Sequence, residues 1–240
     1  MQLEGRVAAI TGGTQGIGFG IAKVFVENGA SVVLMGRNPE NGAKAVADLG
    51  GSDHASFFAG DVMQQESIEA FIDEVVARHG KIDILVNCAG GSDGWALVGD
   101  LSDEAWLKGL EWNASTAFWG TRRALKYMIP QQFGRIIGMS SMYGKISTMA
   151  VPGYITNKHA IIGLMKAVAK EVGTQGITAN AICPGFVPTD MFYETGPATV
   201  EAMGLPDLDA LAQLMYSITA IQRPNTVEEV AAACVLLASD

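Results

Sequence analysis

The chain has 240 residues, 16 Lys and Arg against 25 Asp and Glu for a net charge of -9, and 49% hydrophobic residues. A chain of this length buries roughly 70–75% of its unfolded surface as a single domain, so it needs neither disulfides nor a metal to fold. The acidic balance, with no Lys/Arg run long enough to neutralise a phosphate backbone, argues against nucleic acid and anionic membranes as partners.

In chain order, Val7–Thr11 is the first predicted strand, and a helix follows it over Gly16–Glu27. A strand at Ser31–Met35 leads to a helix at Pro39–Leu49, whose proline falls in the first turn, where a missing N–H does no harm. Next come a strand at Ala55–Ala59 and a helix at Gln65–His79, in which Ile68, Phe71, Ile72, Val75 and Val76 share one face. Ile82–Asn87 is a strand, Ser102–Met128 one long helical pattern, Gly134–Met139 a strand, Gly153–Val172 a helix and Thr178–Ile182 a strand. After Thr189 a mixture of Met, aromatic, Pro and Gly residues runs to Pro224 without a clear period, and a last helix spans Thr226–Ala238.

Continuously apolar strands alternating with helices specify a parallel sheet covered on both faces. The expected fold is therefore α/β: one domain over residues 1–240, with a Rossmann-type doubly wound sheet and right-handed crossovers. The charge-free stretch Val172–Thr189 is interrupted by Gly173, Gly176, Pro184, Gly185 and Pro188, so it is no membrane helix. The start of the chain has no basic and apolar region of the secretory type. Cys88, Cys183 and Cys234 lack metal-type spacing and suit a reducing cytoplasm, and Cys183 reads as a buried small residue. Arg122, Arg123 and Lys126, the densest basic cluster, read as a solvated helix face.

Thr11-Gly12-Gly13-Thr14-Gln15-Gly16-Ile17-Gly18 joins the first strand directly to the first helix. Glycines there permit a tight turn and close backbone approach to a pyrophosphate, which the helix N-terminus attracts. Gly12, Thr14, Gln15, Gly16, Ile17 and Gly18 are the candidate contacts. At the end of the second strand, where an acid would bind the ribose 2′-OH of NAD, the chain has Gly36-Arg37. That favours the 2′-phosphate of NADP, although Gln15 adds no second charge. Tyr154 and Lys158 are four residues apart on one helical face. An ammonium held near a phenol favours the phenolate, which makes the pair a candidate general acid/base. Ser141 ends the fifth strand, where ligands bind in such sheets, and can stabilise a developing oxyanion. The rival, a nucleophilic serine, lacks a G-x-S-x-G elbow.

Taken together, Thr11-Gly12-x-x-x-Gly16-x-Gly18, Asp61-Val62, Asn87-Cys88-Ala89-Gly90, Asn113, Ser141, Tyr154-x-x-x-Lys158 and Pro184-Gly185 followed by Thr189 resemble the short-chain dehydrogenase/reductase family over Leu3–Asp240. The resemblance implies a tetrad of Asn113, Ser141, Tyr154 and Lys158, with Asn113 holding a water that links Lys158 to solvent and Lys158 also binding the nicotinamide ribose. It further implies that Asp61 and Val62 meet the adenine, that Asn87, Ala89 and Gly90 line the ribose, and that Pro184, Gly185, Val187 and Thr189 engage the nicotinamide. It implies a homotetramer or dimer, for which Trp106, Trp112 and Trp119 offer core or interface surface. Two departures stand out. Cys88 replaces a sheet-bracing Asn, and the sequence stops at Asp240, before the seventh, C-terminal edge strand that the resemblance implies, so either it is truncated there or that strand is absent.

The expected function is NADP-dependent interconversion of a ketone, apolar or 3-oxoacyl, with a secondary alcohol. A substrate lid is expected over about 190–222, a segment without Lys or Arg. The alternatives are an NAD-dependent alcohol or hydroxysteroid dehydrogenase and a non-catalytic nucleotide sensor.

Overall fold

Val7 and Ala9 face one side of the first strand and Ala8 and Ile10 the other, and all four are buried, as alternation in a sheet covered on both sides requires. In this computed structural model, which describes residues 1–92 and 95–240, the strands are β1 (Val7–Thr11), β2 (Ser31–Gly36), β3 (Ala55–Ala59), β4 (Ile84–Asn87), β5 (Gly134–Met139) and β6 (Ile177–Ile182). They form one parallel sheet of order β3-β2-β1-β4-β5-β6. The order reverses between β1 and β4, the crevice where such sheets bind ligands. Among the described residues β3 and β6 are the edges and there is no seventh strand.

The helices are α1 (Gly16–Glu27), α2 (Pro39–Asp48), α3 (Gln65–His79), α4 (Asp103–Leu110), α5 (Thr116–Gln131), α6 (Pro152–Val172), α7 (Asp190–Met203), α8 (Leu208–Ser217) and α9 (Val227–Ala238). Ile21 and Phe25 of α1 with Val230, Cys234 and Val235 of α9 pack on Ala8, Ile10 and Leu34. Phe71 and Ile72 of α3, Ala124 and Met128 of α5, and Ile161 and Met165 of α6 pack on the opposite face, against Ala9, Val33 and Ile136.

The pattern over Ser102–Met128 is helical throughout, with a π-helical turn, Glu111–Ser115, interrupting the α-helical ladder between α4 and α5. Its cause is polar. Thr116 donates to the carbonyls of Trp112 (2.9 Å) and Asn113 (3.2 Å), and Asn113 bonds backbone outside its own helix, which diverts groups from the regular ladder. The segment after Thr189, assigned no element above, folds into α7 and α8. The basic cluster is also paired rather than simply solvated: Arg122 bonds Glu69 at 2.7 Å, and Arg123 grips both Asp73 oxygens at 2.6 Å, joining α5 to α3.

Candidate active site

The turn after β1 makes a cradle of bare backbone. Gly12 has φ +66°, and a Cβ there would stand 3.1 Å from the Ala89 Cα, while a Cβ at Gly18 would collide with the Gly12 carbonyl oxygen. Above this turn α1 starts at Gly16, its N-cap residue Gln15 makes no side-chain cap, and no acid lies in its first turn. By contrast α2 is capped by Asn38 and α9 by a full Thr226–Glu229 capping box. The open amides of α1 therefore suit an anionic ligand group. Residues and group fit: the turn has the bare backbone and open amides that a dinucleotide pyrophosphate would need, and Thr189 reaches the turn from the far side, since a Cβ at Gly16 would lie 3.4 Å from the Thr189 methyl.

Thr11, quoted above only as part of the turn, ties the crevice together. Its Oγ accepts from the N–H groups of Cys88 (3.1 Å) and Ala89 (3.2 Å), which binds the end of β4 to the end of β1. The signal for this role was a β-branched hydroxyl residue ending an apolar strand. Thr11→Val keeps the shape but leaves both N–H groups without that acceptor. It is expected to lower stability by about 1–3 kcal/mol and to weaken dinucleotide binding. Denaturant titration with and without the dinucleotide checks this, and an unchanged midpoint would show that the bonds contribute nothing.

The remaining cofactor candidates spread along the carboxyl edge of the sheet. Ile17 packs on the α1 core and Val62 on the opposite one. Asp61 accepts from the Met63 N–H at 3.0 Å, which shapes the turn after β3. Arg37 is exposed and lines an open depression with Asn38, Pro39 and Glu40. Asn87 is buried and donates to Thr121 Oγ at 3.1 Å, bracing β4 against α5. Met142 N–H donates to Pro184 O at 2.7 Å and Asn225 N–H to Phe186 O at 2.8 Å. These bonds hold the loop that contains Gly185 and leads to buried Val187.

Asn113, Ser141, Tyr154 and Lys158 are grouped around the end of β5. The π-helical turn aims Asn113 out of its helix: its amide donates to Gly91 O (2.9 Å) and Gly109 O (3.0 Å), and its oxygen accepts from Gly91 N–H (3.2 Å). Its side chain is thus spent on fixing the backbone beside Gly90. Ser141 opens a 3-10 turn, Met142–Gly144, and its Oγ accepts from the Tyr143 N–H at 3.2 Å. That leaves the serine proton to donate, with the Tyr154 hydroxyl as its neighbour. Ser140 donates to the Lys158 carbonyl at 2.7 Å and pins β5 to α6. Lys158 is buried, with Nζ 3.1 Å from the Met139 carbonyl and 5.3 Å from the centre of the Tyr154 ring.

The electrostatics correct one expectation. Tyr154 is not lowered by its lysine. Burial pushes the phenol above its ordinary value, with a smaller opposing pull from Ser141. Burial also lowers Lys158 to about 8, so at neutral pH it still carries its proton, and the desolvation of the phenol decides the direction of the Tyr154 shift. Burial raises the Cys88 thiol to about 11, with Lys158 opposing, so Cys88 is an unreactive neutral thiol at neutral pH. Cys183 is half-buried rather than buried, in a groove beside Lys145 and Lys166.

An aromatic group joins the loop after β6 to α7 and α8. The rings of Phe186 and Phe192 lie 4.7 Å apart, and those of Phe186 and Tyr216 5.6 Å apart. Trp95 Nε1 donates to Thr199 Oγ at 2.7 Å and ties the segment after β4 to α7. No sequence pattern pointed to this bond, which spans 104 residues. Among the described residues there is no cluster of metal-binding side chains and no helix long and apolar enough to cross a membrane.

Comparison with known proteins places the chain by family and fold. The family model described as short chain dehydrogenase matches residues 6–199. A 3beta-hydroxysteroid dehydrogenase of Mediterraneibacter gnavus is 34% identical over 100% of this chain and 90% of its own. Among solved structures, an actinorhodin polyketide ketoreductase variant with NADPH superposes with a TM-score of 0.91 at 32% identity, covering 100% of this chain and 92% of the other. An NAD+-bound xylitol dehydrogenase superposes with a TM-score of 0.92 at 29% identity, covering 100% and 94%.

Proposed function

The chain belongs to the short-chain dehydrogenase/reductase family, an oxidoreductase acting on CH–OH or keto groups with a nicotinamide cofactor, and from that premise we propose that it reduces neutral, apolar ketones to secondary alcohols with NADPH. The observation that carries this reading is the convergence of Ser141, Tyr154 and Lys158 at the end of β5, next to the open first turn of α1. The bound cofactor supplies the hydride, and the protein supplies position and electrostatics.

In this reading Tyr154 delivers its proton to the carbonyl oxygen. Ser141, whose Oγ is already held by the Tyr143 N–H, donates to the same oxygen and steadies its developing charge. Lys158 holds the nicotinamide ribose together with Tyr154, and Asn113 fixes the backbone at Gly90 against which that ribose rests. Gly12, Thr14, Gln15, Gly16, Ile17 and Gly18 hold the pyrophosphate, Asp61 and Val62 the adenine, Asn87 and Ala89 the ribose side, and Pro184, Gly185, Val187 and Thr189 the carboxamide end. The lid is α7 and α8. It carries exposed Asp190, Glu194, Glu201, Asp207 and Asp209 and no cation. Such a rim favours a neutral ketone over a 3-oxoacyl thioester that brings its own phosphates. Leu107 and Phe118 remain 63% and 44% exposed on α4 and α5, which supports a homotetramer or dimer as the working assembly.

NADP rests on two features. A Cβ at Gly36 would stand 3.0 Å from the Thr14 side chain, so an acid at that position would be crowded, and Arg37 is exposed beside it. Glu40 lines the same depression and favours the second reading, an NAD-linked alcohol or steroid dehydrogenase, because it can offset the Arg37 charge. Arg37→Ala removes one charge-assisted contact, worth about 1.5–3 kcal/mol. It is expected to weaken NADPH binding roughly ten- to a hundredfold while leaving NADH unchanged. Separate titrations with the two reduced cofactors check this, and tighter NADH binding by the unaltered protein would overturn the NADP assignment. The activity itself is tested by loss of reduced-cofactor absorbance across a panel of ketones.

A further inference from the structure

Two residues beyond Ser141, the turn Met142–Gly144 carries Tyr143 against the reacting groups. The residue is 8% exposed. Its ring meets the Tyr154 ring edge-on, with centroids 6.4 Å apart and planes at 78°. Its hydroxyl lies 4.0 Å from the sulfur of Met215 on α8, and its N–H holds Ser141 Oγ. One residue therefore borders the phenol, the serine and the helix above them. The turn cannot retreat to make room, because a Cβ at Gly144 would already stand 2.8 Å from the Lys158 carbonyl. Because Tyr143 borders both groups, its ring is positioned to meet one substituent of a carbonyl whose oxygen reaches Ser141 and Tyr154.

Resting on the ketone reading above, we propose that Tyr143 is a specificity-determining residue. Its ring restricts the substituent on its side of the carbonyl to a small one and sends the larger apolar substituent toward Phe186, Phe192 and Tyr216. The substrate class that follows is an unsymmetrical ketone with one methyl-sized and one bulky apolar arm. The ring matters through its volume, since a thioether is a weak acceptor and the hydroxyl gains little from Met215. An aromatic ring in contact with several neighbours fills space that a smaller side chain leaves open.

The test is a series of aryl ketones in which the aryl arm is constant and the second arm grows from methyl through propyl to phenyl. For the unaltered protein with NADPH, kcat/KM is expected to fall steeply along the series. Tyr143→Phe, which keeps the ring, is expected to preserve that fall. Tyr143→Ala is expected to raise the phenyl-to-methyl ratio at least tenfold at unchanged NADPH affinity, with Tyr143→Leu as the milder version should the alanine variant fold poorly. An equal loss for every ketone, or an unchanged ratio at intact NADPH affinity, would mean that Tyr143 merely packs and would overturn the proposal. Failure of the underlying reading looks different: the unaltered protein itself would bind NADPH and reduce no ketone in the series.

Discussion

Tyr154→Phe is expected to lower kcat by about 10³-fold or more, the range in which a positioned general acid contributes, while NADPH still binds. The substitution removes one oxygen and keeps the ring that packs edge-on against Tyr143. The Ser141 and Lys158 bonds to Tyr143 N–H and Met139 O do not involve that oxygen. The loss should therefore appear in kcat and not in cofactor affinity, the signature of a group used in the reaction step. Turnover above a few per cent of the unaltered protein would remove Tyr154 from the acid role. The direction of its displaced pKa adds a pH test. Burial holds the phenol protonated beyond its ordinary value, so reduction should not lose its proton donor at any pH up to about 10. Oxidation, which needs the phenolate, should instead rise with pH across the alkaline range. Because Tyr154 and Lys158 adjoin, the apparent values from such profiles belong to the pair.

The parts of this site that could be read from sequence are those set by local rules. The apolar runs of β1, β2 and β5 and the glycines after β1 announce a buried parallel sheet with a phosphate turn. The spacing of Tyr154 and Lys158 fixes their shared face whatever surrounds the helix. What escaped depends on distant partners. The π-helical turn at Glu111–Ser115 accompanies the bonds of Asn113 to Gly91, 22 residues away, and of Thr116 to its own helix, and only Asn113, Ser115 and Thr116 within a helical pattern hinted at it. In α7, Gly196-Pro197 reads as a break, yet the helix continues through it, and Thr195 donates to the Met191 carbonyl at 2.7 Å. The sign of the Tyr154 displacement was misjudged for a related reason. Spacing reveals that two groups are neighbours, but which way they titrate depends on how much water each retains, and that is a property of the packed fold.

Lys158→Met is expected to stabilise the cofactor-free protein while lowering turnover by about 10²-fold or more. The buried ammonium titrates at about 8 instead of the ordinary 10.5, which corresponds to about 3 kcal/mol against the charged form. Below pH 8 the folded and unfolded chains both carry the proton, so the full cost is present. Between about 8 and 10.5 the unfolded chain keeps a proton that the folded chain has released, so stability rises with pH and the cost disappears. At neutral pH methionine removes the charge and forfeits one hydrogen bond to Met139 O, worth about 1 kcal/mol. The net gain of about 2 kcal/mol predicts a Tm higher by roughly 4–8 °C at this chain length. The advantage should shrink as the pH is raised from 8 to 10.5. Thermal melts of both proteins over that range check the sign, and a variant less stable than the parent at pH 7 would show that the charge is not costly where it stands. The expected outcome means that the fold tolerates a poorly solvated cation next to Tyr154 because the reaction needs it there, so the destabilising residue and the one on which turnover depends are the same.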